Sequence, residues 1–247
     1  MTKYSTQSRP FAVFDIDGTL IRWQLYHAVA DDMAKQNIIN PQKYQAVLRA
    51  RNNWQSRQSV DSFSEYEQSL INLINLSIIG LDHLIFQQIC QTIVNRFQDQ
   101  VYAFTRDLIA NLKSQGYLIF AISASPQELV SLVADHYNFD DYGGSSYEVI
   151  NNHLSGKQNL LFGQAKTIYL KKLIAKHHAT MSGSIGVGDT LGDLQMLNTV
   201  ERAIAFNPSK ELYDHALNNK WNIIIERKNV VYRLIHKDGQ YILASTD

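Results

Sequence analysis

Short apolar runs alternate along this chain with longer stretches of helical periodicity. Residues 11–14, 117–122, 184–187, 203–206 and 221–225 are nearly unbroken apolar runs, the pattern of strands buried on both faces. Between them, residues 105–114 place Leu108, Ile109 and Leu112 on one face and end at Gly116. Residues 127–136 follow Pro126 with Leu129, Val130, Leu132 and Val133. Residues 165–177 carry Ile168, Leu170, Leu173 and Ile174, and residues 191–199 and 209–218 complete the set. Strands alternating with helices predict an α/β, doubly wound parallel sheet covered on both faces. In such sheets ligands bind beyond the carboxyl ends of the strands.

Residues 21–101 break the alternation. Helical patterns over 23–35, 41–54, 62–76 and 83–98 follow one another without a clear strand. The expected organisation is a core of residues 1–20 and 102–247 interrupted by an all-helical cap domain at 21–101, over the site. Residues 151–157 read as the turn of a small hairpin. Residues 230–245, with a Lys237-Asp238-Gly239 turn, predict a second hairpin within a C-terminal extension at 226–247. Its role is open between extending the sheet, covering an edge and making an interface.

Composition narrows the function classes. With 23 basic against 23 acidic residues, the chain has no electrostatic footprint for nucleic acid or an anionic membrane. A single cysteine, Cys90, excludes an intramolecular disulfide and a cysteine metal cluster, and its apolar surroundings point to a core thiol. The polar N-terminus has no following apolar region of a secretory signal, and no apolar run is long enough to span a bilayer. The expectation is a cytoplasmic protein.

The polar residues at the predicted strand ends carry the candidate chemistry. Asp15-Ile16-Asp17-Gly18-Thr19-Leu20 puts two carboxylates on one side of the chain. Their repulsion calls for a nearby cation or a proton, and Mg2+ suits a few carboxylates plus a phosphate. Gly18 permits a sharp exit from the strand and a close backbone approach to an anion. Ser123, just before the helix after Pro126, is placed to donate to a phosphate oxygen, or else to serve as an ordinary cap. Lys166 opens the 165–177 helix and offers a point charge to phosphate, although a surface lysine is the default reading of such a residue. Asp189 and Asp193 in Gly188-Asp189-Thr190-Leu191-Gly192-Asp193 complete a metal site and orient Lys166, or else cap a helix. Four such motifs in a fixed order outweigh the bland reading of each.

In this order the motifs DIDGTL, the Ser of AISAS, the Lys of GQAK and GDTLGD resemble those of the haloacid dehalogenase superfamily. The resemblance is to its subfamily IB, the phosphoserine-phosphatase-like branch with a helical cap, and it runs from about residue 11 to 225. It implies a Rossmann-like core and a Mg2+-dependent phosphomonoester hydrolase. By this resemblance Asp15 is nucleophile and metal ligand. Asp17 is general acid and base, its backbone carbonyl a further ligand. Asp189 is the remaining metal carboxylate, supported by Asp193. Ser123 and Lys166 clamp the phosphate, and Gly18 and Thr19 shape the loop around it.

Two departures bear on the substrate. The branch carries a glutamate where this chain has Gln24, and an arginine where a gapless comparison places Leu73. Without both charges an amino-acid head group loses its partners, so phosphoserine is the disfavoured ester of a small phosphorylated metabolite. Arg22, His27, Arg49, Arg51, Arg57 and Tyr66 are the other candidates in the helical segment. The alternatives are a phosphotransferase to an acceptor hydroxyl and a catalytically silent binding protein. The leaving group and the oligomeric state are not legible.

Overall fold

The structure is a computed structural model that describes residues 8–59 and 62–246. The N-terminal residues 1–7, on which the reading of a missing secretory signal rests, lie outside the described residues. The chain divides into two compact units. The first comprises Met1–Trp23, Phe97–Ser145 and Leu160–Asp247, and the second Gln24–Arg96 and Ser146–Asn159.

In the first unit the first two apolar runs become strands β1 (Pro10–Phe14) and β2 (Leu118–Pro126), joined by the leading half of β3 (Asp141–Ile150), which no apolar run announced. The sheet continues with β5 (Thr180–Gly188), β6 (Arg202–Phe206), β7 (Asn222–Arg227), β8 (Val230–Lys237) and β9 (Gln240–Thr246). Their order is β3-β2-β1-β5-β6-β7-β8-β9, parallel from β3 through β7. The C-terminal hairpin therefore extends the sheet: β8 pairs antiparallel with β7, and β9 with β8. Helices α5 (Ala103–Ser114), α6 (Gln127–His136), α7 (Gln164–His177), α8 (Leu194–Leu197) and α9 (Lys210–Asn218) connect the strands.

Alternate residues of each strand pack on opposite faces. Phe11, Val13, Leu118, Phe120 and Ile122 form one apolar cluster with Leu161, Leu170, Leu173 and Met196. Leu197, Ala203, Ala205, Leu212, Ala216 and Ile223 form another. Burying each large side chain contributes on the order of 2 kcal/mol, and the clusters hold the sheet's register. That register matters for function. Phe14 lies level with Ala121 of β2 and Val187 of β5, so the chain leaves three neighbouring strands at one height. Strand order reverses on the two sides of β1, which makes its carboxyl end a switch point of the sheet.

The second unit holds helices α1 (Leu25–Lys35), α2 (Pro41–Gln55), α3 (Ser62–Ser77) and α4 (His83–Phe97), whose last residue belongs to the first unit. Helix α2 starts where the sequence provides a start: Asn40 accepts from the N–H groups of Gln42 and Lys43, and Pro41 takes the first position. Val29, Met33, Leu70, Ile74, Phe86 and Ile93 fill the interior together with Cys90, which is buried as expected. The end of β3 and β4 (His153–Asn159) form an antiparallel hairpin through the left-handed Asn151 and Asn152. This hairpin groups with the helices rather than with the sheet. Gly80 and Leu154, Leu154 and Leu81, and His83 and Asn152 are joined by backbone hydrogen bonds, and Tyr147 packs edge-on to Phe86. No helix among the described residues is long and apolar enough to cross a membrane.

Candidate active site

The carboxyl ends of β1, β2 and β5 bring together the polar residues singled out by the sequence. Asp15 is the first residue after β1, and its N–H donates to Val187 O at 3.0 Å, holding it beside β5. The chain then turns back sharply. Leu20 and Ile21 both donate to Ile16 O, and the turn passes through Gly18 at φ 82°, a conformation that disfavours any side chain. The Gly18 N–H is taken by Ile21 O, and the Thr19 hydroxyl donates to Asp189 Oδ1 at 3.1 Å. Gly18 and Thr19 thus organise the loop and its neighbouring carboxylate.

Lys166 lies in the first turn of α7 and is buried. Its Nζ donates to Asp15 Oδ1 and to Asp193 Oδ1, each at 2.6 Å. Asp193 uses its other oxygen to accept from the N–H groups of Asp189 and Thr190, at 3.1 and 3.2 Å. Both of its oxygens are therefore engaged in holding Lys166 and the Asp189 loop. Gly188 makes that fold-back possible, because a Cβ there would fall 2.6 Å from the Asp193 side chain. The expected 191–199 helix is correspondingly split. A 3-10 turn at Leu191–Asp193, closed by a reciprocal Thr190–Asp193 capping box, precedes α8.

Asp17 faces a different set of groups. Its Oδ2 accepts from Ser125 Oγ at 2.7 Å and from Ser123 Oγ at 3.2 Å. Ser123 in turn accepts from the Ser125 N–H. Here Ser123, expected as a phosphate donor, is bonded to a carboxylate. Ser125 escaped the sequence reading, although strand alternation from Ser123 puts it on the same side. Thr105 was also missed: its hydroxyl donates to Thr19 O at 2.9 Å, tying the start of α5 to the loop, and no motif announces it.

The electrostatics are unbalanced. Carboxylate oxygens of Asp15, Asp189 and Asp193 lie within 4.8 Å of one another, all three residues buried. Burial works against the charge on Lys166, but Asp15 and Asp193 more than offset it and hold its pKa above the usual lysine range. Burial also pushes Asp15 well above the usual carboxylate range. Lys166 pulls it down, while Asp193 and Asp17 push it further up. Asp189 is raised in the same way, first by burial and then by Asp15 and Asp193. One ammonium does not neutralise these carboxylates. A hard divalent cation would relieve that excess, and Asp15 and Asp189 would hold it, so the donor set fits such an ion.

Comparison with known proteins agrees with this geometry. The family profile described as haloacid dehalogenase-like hydrolase matches residues 12–198. A putative hydrolase of Mycobacterium leprae is 22% identical over 220 residues, covering 86% of this chain and 71% of that protein. A phosphoserine phosphatase of Streptomyces coelicolor is 24% identical over 58% of this chain and 34% of its own length. Among solved structures, a protein of unknown function from Bordetella pertussis Tohama I superposes with TM-score 0.68 at 18% identity, over 89% of this chain and 99% of that one. A phospho-aspartyl intermediate analogue of phosphoserine phosphatase superposes with TM-score 0.63 at 19% identity, over 90% and 95%. The site lies within the span of the matched profile, and the chain belongs to the haloacid dehalogenase-like hydrolases, as a phosphatase-like, phosphoserine-phosphatase-related member.

Proposed function

We propose that this chain is a Mg2+-dependent phosphomonoester hydrolase that works through a phosphorylated Asp15 and acts on a small phosphorylated metabolite other than phosphoserine. The observation that carries the reading is the division of labour between the two acidic residues of the first loop. Asp15 lies among buried carboxylates against Lys166, while Asp17 is held apart by Ser123 and Ser125. On this reading one acts as a nucleophile beside a cation and the other as a proton carrier.

In the first step an Asp15 oxygen attacks phosphorus and the bond to the leaving oxygen breaks, with Asp17 supplying the proton that oxygen needs. In the second step water attacks the same phosphorus, Asp17 takes its proton, and the bond to Asp15 breaks to release inorganic phosphate. Mg2+ held by Asp15, the Asp17 carbonyl and Asp189 would neutralise charge on the phosphoryl oxygens. Lys166, bonded to Asp15, would add to that neutralisation, and Asp193 keeps it pointed there. The second unit interrupts the first directly after the Asp15 loop, and we assign it the part of a cap that selects the leaving group. Within it, Gln24 and Leu73 replace the charges expected for an amino-acid head group, and Leu73 is buried. Arg51 does not substitute for them, because Asp31, Tyr44 and Tyr66 already engage it.

The test is phosphate release from a panel of phosphomonoesters with Mg2+ or chelator, beside Asp15→Asn. Metal-dependent release that the variant lacks is the expected result. Release by the variant at the wild-type rate would sink the covalent route, and phosphoserine as the best ester would sink the substrate reading.

A further inference from the structure

Arg22 stands just beyond the catalytic loop, exposed, and forms no ion pair among the described residues. It is nevertheless held in place. Its backbone N–H donates to Gln100 O at 2.8 Å, and its guanidinium carbon lies 5.6 Å from the centre of the Tyr102 ring. That ring is itself fixed. The Tyr102 N–H donates to Leu20 O at 3.0 Å, and the ring packs edge-on to Phe206 at 4.9 Å. Phe206 ends β6, the strand beside β5, and Gly188 of β5 is level with Ala205. The Tyr102 hydroxyl shares a hydrogen bond with Asn207, and the charge of Asp189 is among the groups acting on it. Just past Asn207, the Ser209 N–H donates to Asp189 O at 2.8 Å. The tyrosine ring thus lies between the end of β6, next to the Asp189 loop, and the guanidinium.

Stacking on an aromatic face orients an arginine while leaving its fork of N–H donors free, in the geometry that suits a carboxylate or phosphate. The charge balance of the site gives such a donor a use. The site buries four carboxylates, Asp15, Asp17, Asp189 and Asp193, against one lysine, which pairs with Asp15 and Asp193. A divalent cation still leaves the pocket without surplus positive charge when a phosphoryl dianion arrives. A second anion on the substrate would meet net repulsion unless another cation received it.

We propose that Arg22, seated on Tyr102 at the β6 side of the carboxylate cluster, binds a second anionic oxygen group on the leaving-group part of the substrate. This rests on the phosphohydrolase reading and narrows it. The preferred ester carries a carboxylate or a further phosphate and lacks the ammonium group for which Gln24 offers no counter-charge.

Phenyl phosphate and its 3- and 4-carboxylated counterparts form a matched set that differs by one charge. With Mg2+ present, wild type should favour a carboxylated ester in kcat/KM by about tenfold. Arg22→Ala should collapse that ratio towards unity, and Arg22→Lys should restore part of it. A ratio near unity in wild type, or one that Arg22→Ala leaves in place, overturns the assignment. A second measurement separates it from the hydrolase reading: calorimetric binding of the same esters to Asp15→Asn, with and without Arg22→Ala. Tighter, Arg22-dependent binding of a carboxylated ester upholds the anion site even where wild type hydrolyses nothing, in which case the hydrolase reading falls alone. Equal binding of carboxylated and uncarboxylated esters, or none, overturns the assignment while leaving any observed hydrolysis standing.

Discussion

The two units treat buried polar groups in opposite ways. In the first, Asp15, Asp189 and Asp193 crowd around one ammonium, and burial with mutual repulsion pushes Asp15 and Asp189 upward. In the second, the polar groups come balanced. Arg51 pairs with Asp31 at 2.9 Å, donates to both Tyr44 and Tyr66, and covers the Tyr66 ring at 5.4 Å. His27 sits among the rings of Trp54 and Tyr66, pushed down to about 3 by burial and then by the Arg51 charge, so it stays neutral. An unsatisfied cluster stores charge for an ion and a substrate, whereas a satisfied one holds helices together. Imbalance, more than burial, separates the site from the scaffold.

The largest effect should come from Asp15→Asn. The change keeps shape and removes the proposed nucleophile, so turnover should fall by about a thousandfold or more. Far-ultraviolet circular dichroism should stay that of wild type. A folded variant with turnover within tenfold of wild type would contradict the contrast just drawn. It would mean that the crowded carboxylates serve structure.

Next comes Lys166→Met. Removing the ammonium leaves Asp15 and Asp193 facing each other in a buried site, which should destabilise the metal-free protein by about 3–5 kcal/mol in urea titration. Added Mg2+ should recover part of that loss, because a ligand that binds only the folded state stabilises it by mass action. Loss below about 1 kcal/mol would show that the cluster is hydrated and less crowded than its geometry implies.

Much of this contrast was legible in the sequence, and the reasons differ by residue. Strands of continuous apolar residues and helices of clear period stood out, because burial on both faces or on one stripe leaves a pattern. Strand β3 did not: Asp141-Tyr142-Gly143-Gly144-Ser145-Ser146 carries two glycines and no apolar run. Its glycines answer to packing instead, since a Cβ on Gly143 would strike the Tyr169 ring at 2.3 Å and one on Gly144 the Gln127 backbone at 2.7 Å. The hairpin's grouping with the helices was hidden for a related reason, as it depends on backbone bonds to residues about seventy positions away. The order of the motifs pointed to Asp15, Asp17, Lys166 and Asp189. The bonds of Ser125 to Asp17 and of Thr105 to Thr19 arise only when β2 and α5 meet the loop.

The response to acid should separate the units by sign. The folded pKa of His27 lies below its ordinary value of 6.5, so the unfolded chain binds the extra proton. Stability from this residue is complete above about pH 6.5 and is lost as pH falls towards 3, by up to about 1.4 kcal/mol per pH unit. The raised carboxylates act oppositely: the folded metal-free chain holds protons that the unfolded chain releases, so their contribution falls as pH rises through their folded range. Excess Mg2+ should remove the carboxylate effect and leave the His27 slope exposed. His27→Phe should then flatten urea stability between pH 6 and 4, and an unchanged slope would place the acid-sensitive group elsewhere.

The smallest effect tests the comparison most directly, because it repeats the lysine experiment in the balanced unit. Arg51→Met also deletes a cation from a hydrogen-bonded group, but the side chains of Arg51 and Asp31 are 15% and 32% exposed. Water can therefore reach Asp31 once its partner is gone, and Tyr44 continues to donate to it. The methionine keeps part of the contact with the Tyr66 ring. The expected loss is about 1–2 kcal/mol, smaller than that of Lys166→Met, with no recovery on adding Mg2+. Equal losses in the two variants would mean that the units handle charge alike, and the distinction between imbalance and balance would fail. A smaller, metal-insensitive loss for Arg51→Met ties the stored charge to the carboxyl ends of β1 and β5, where the chemistry is assigned.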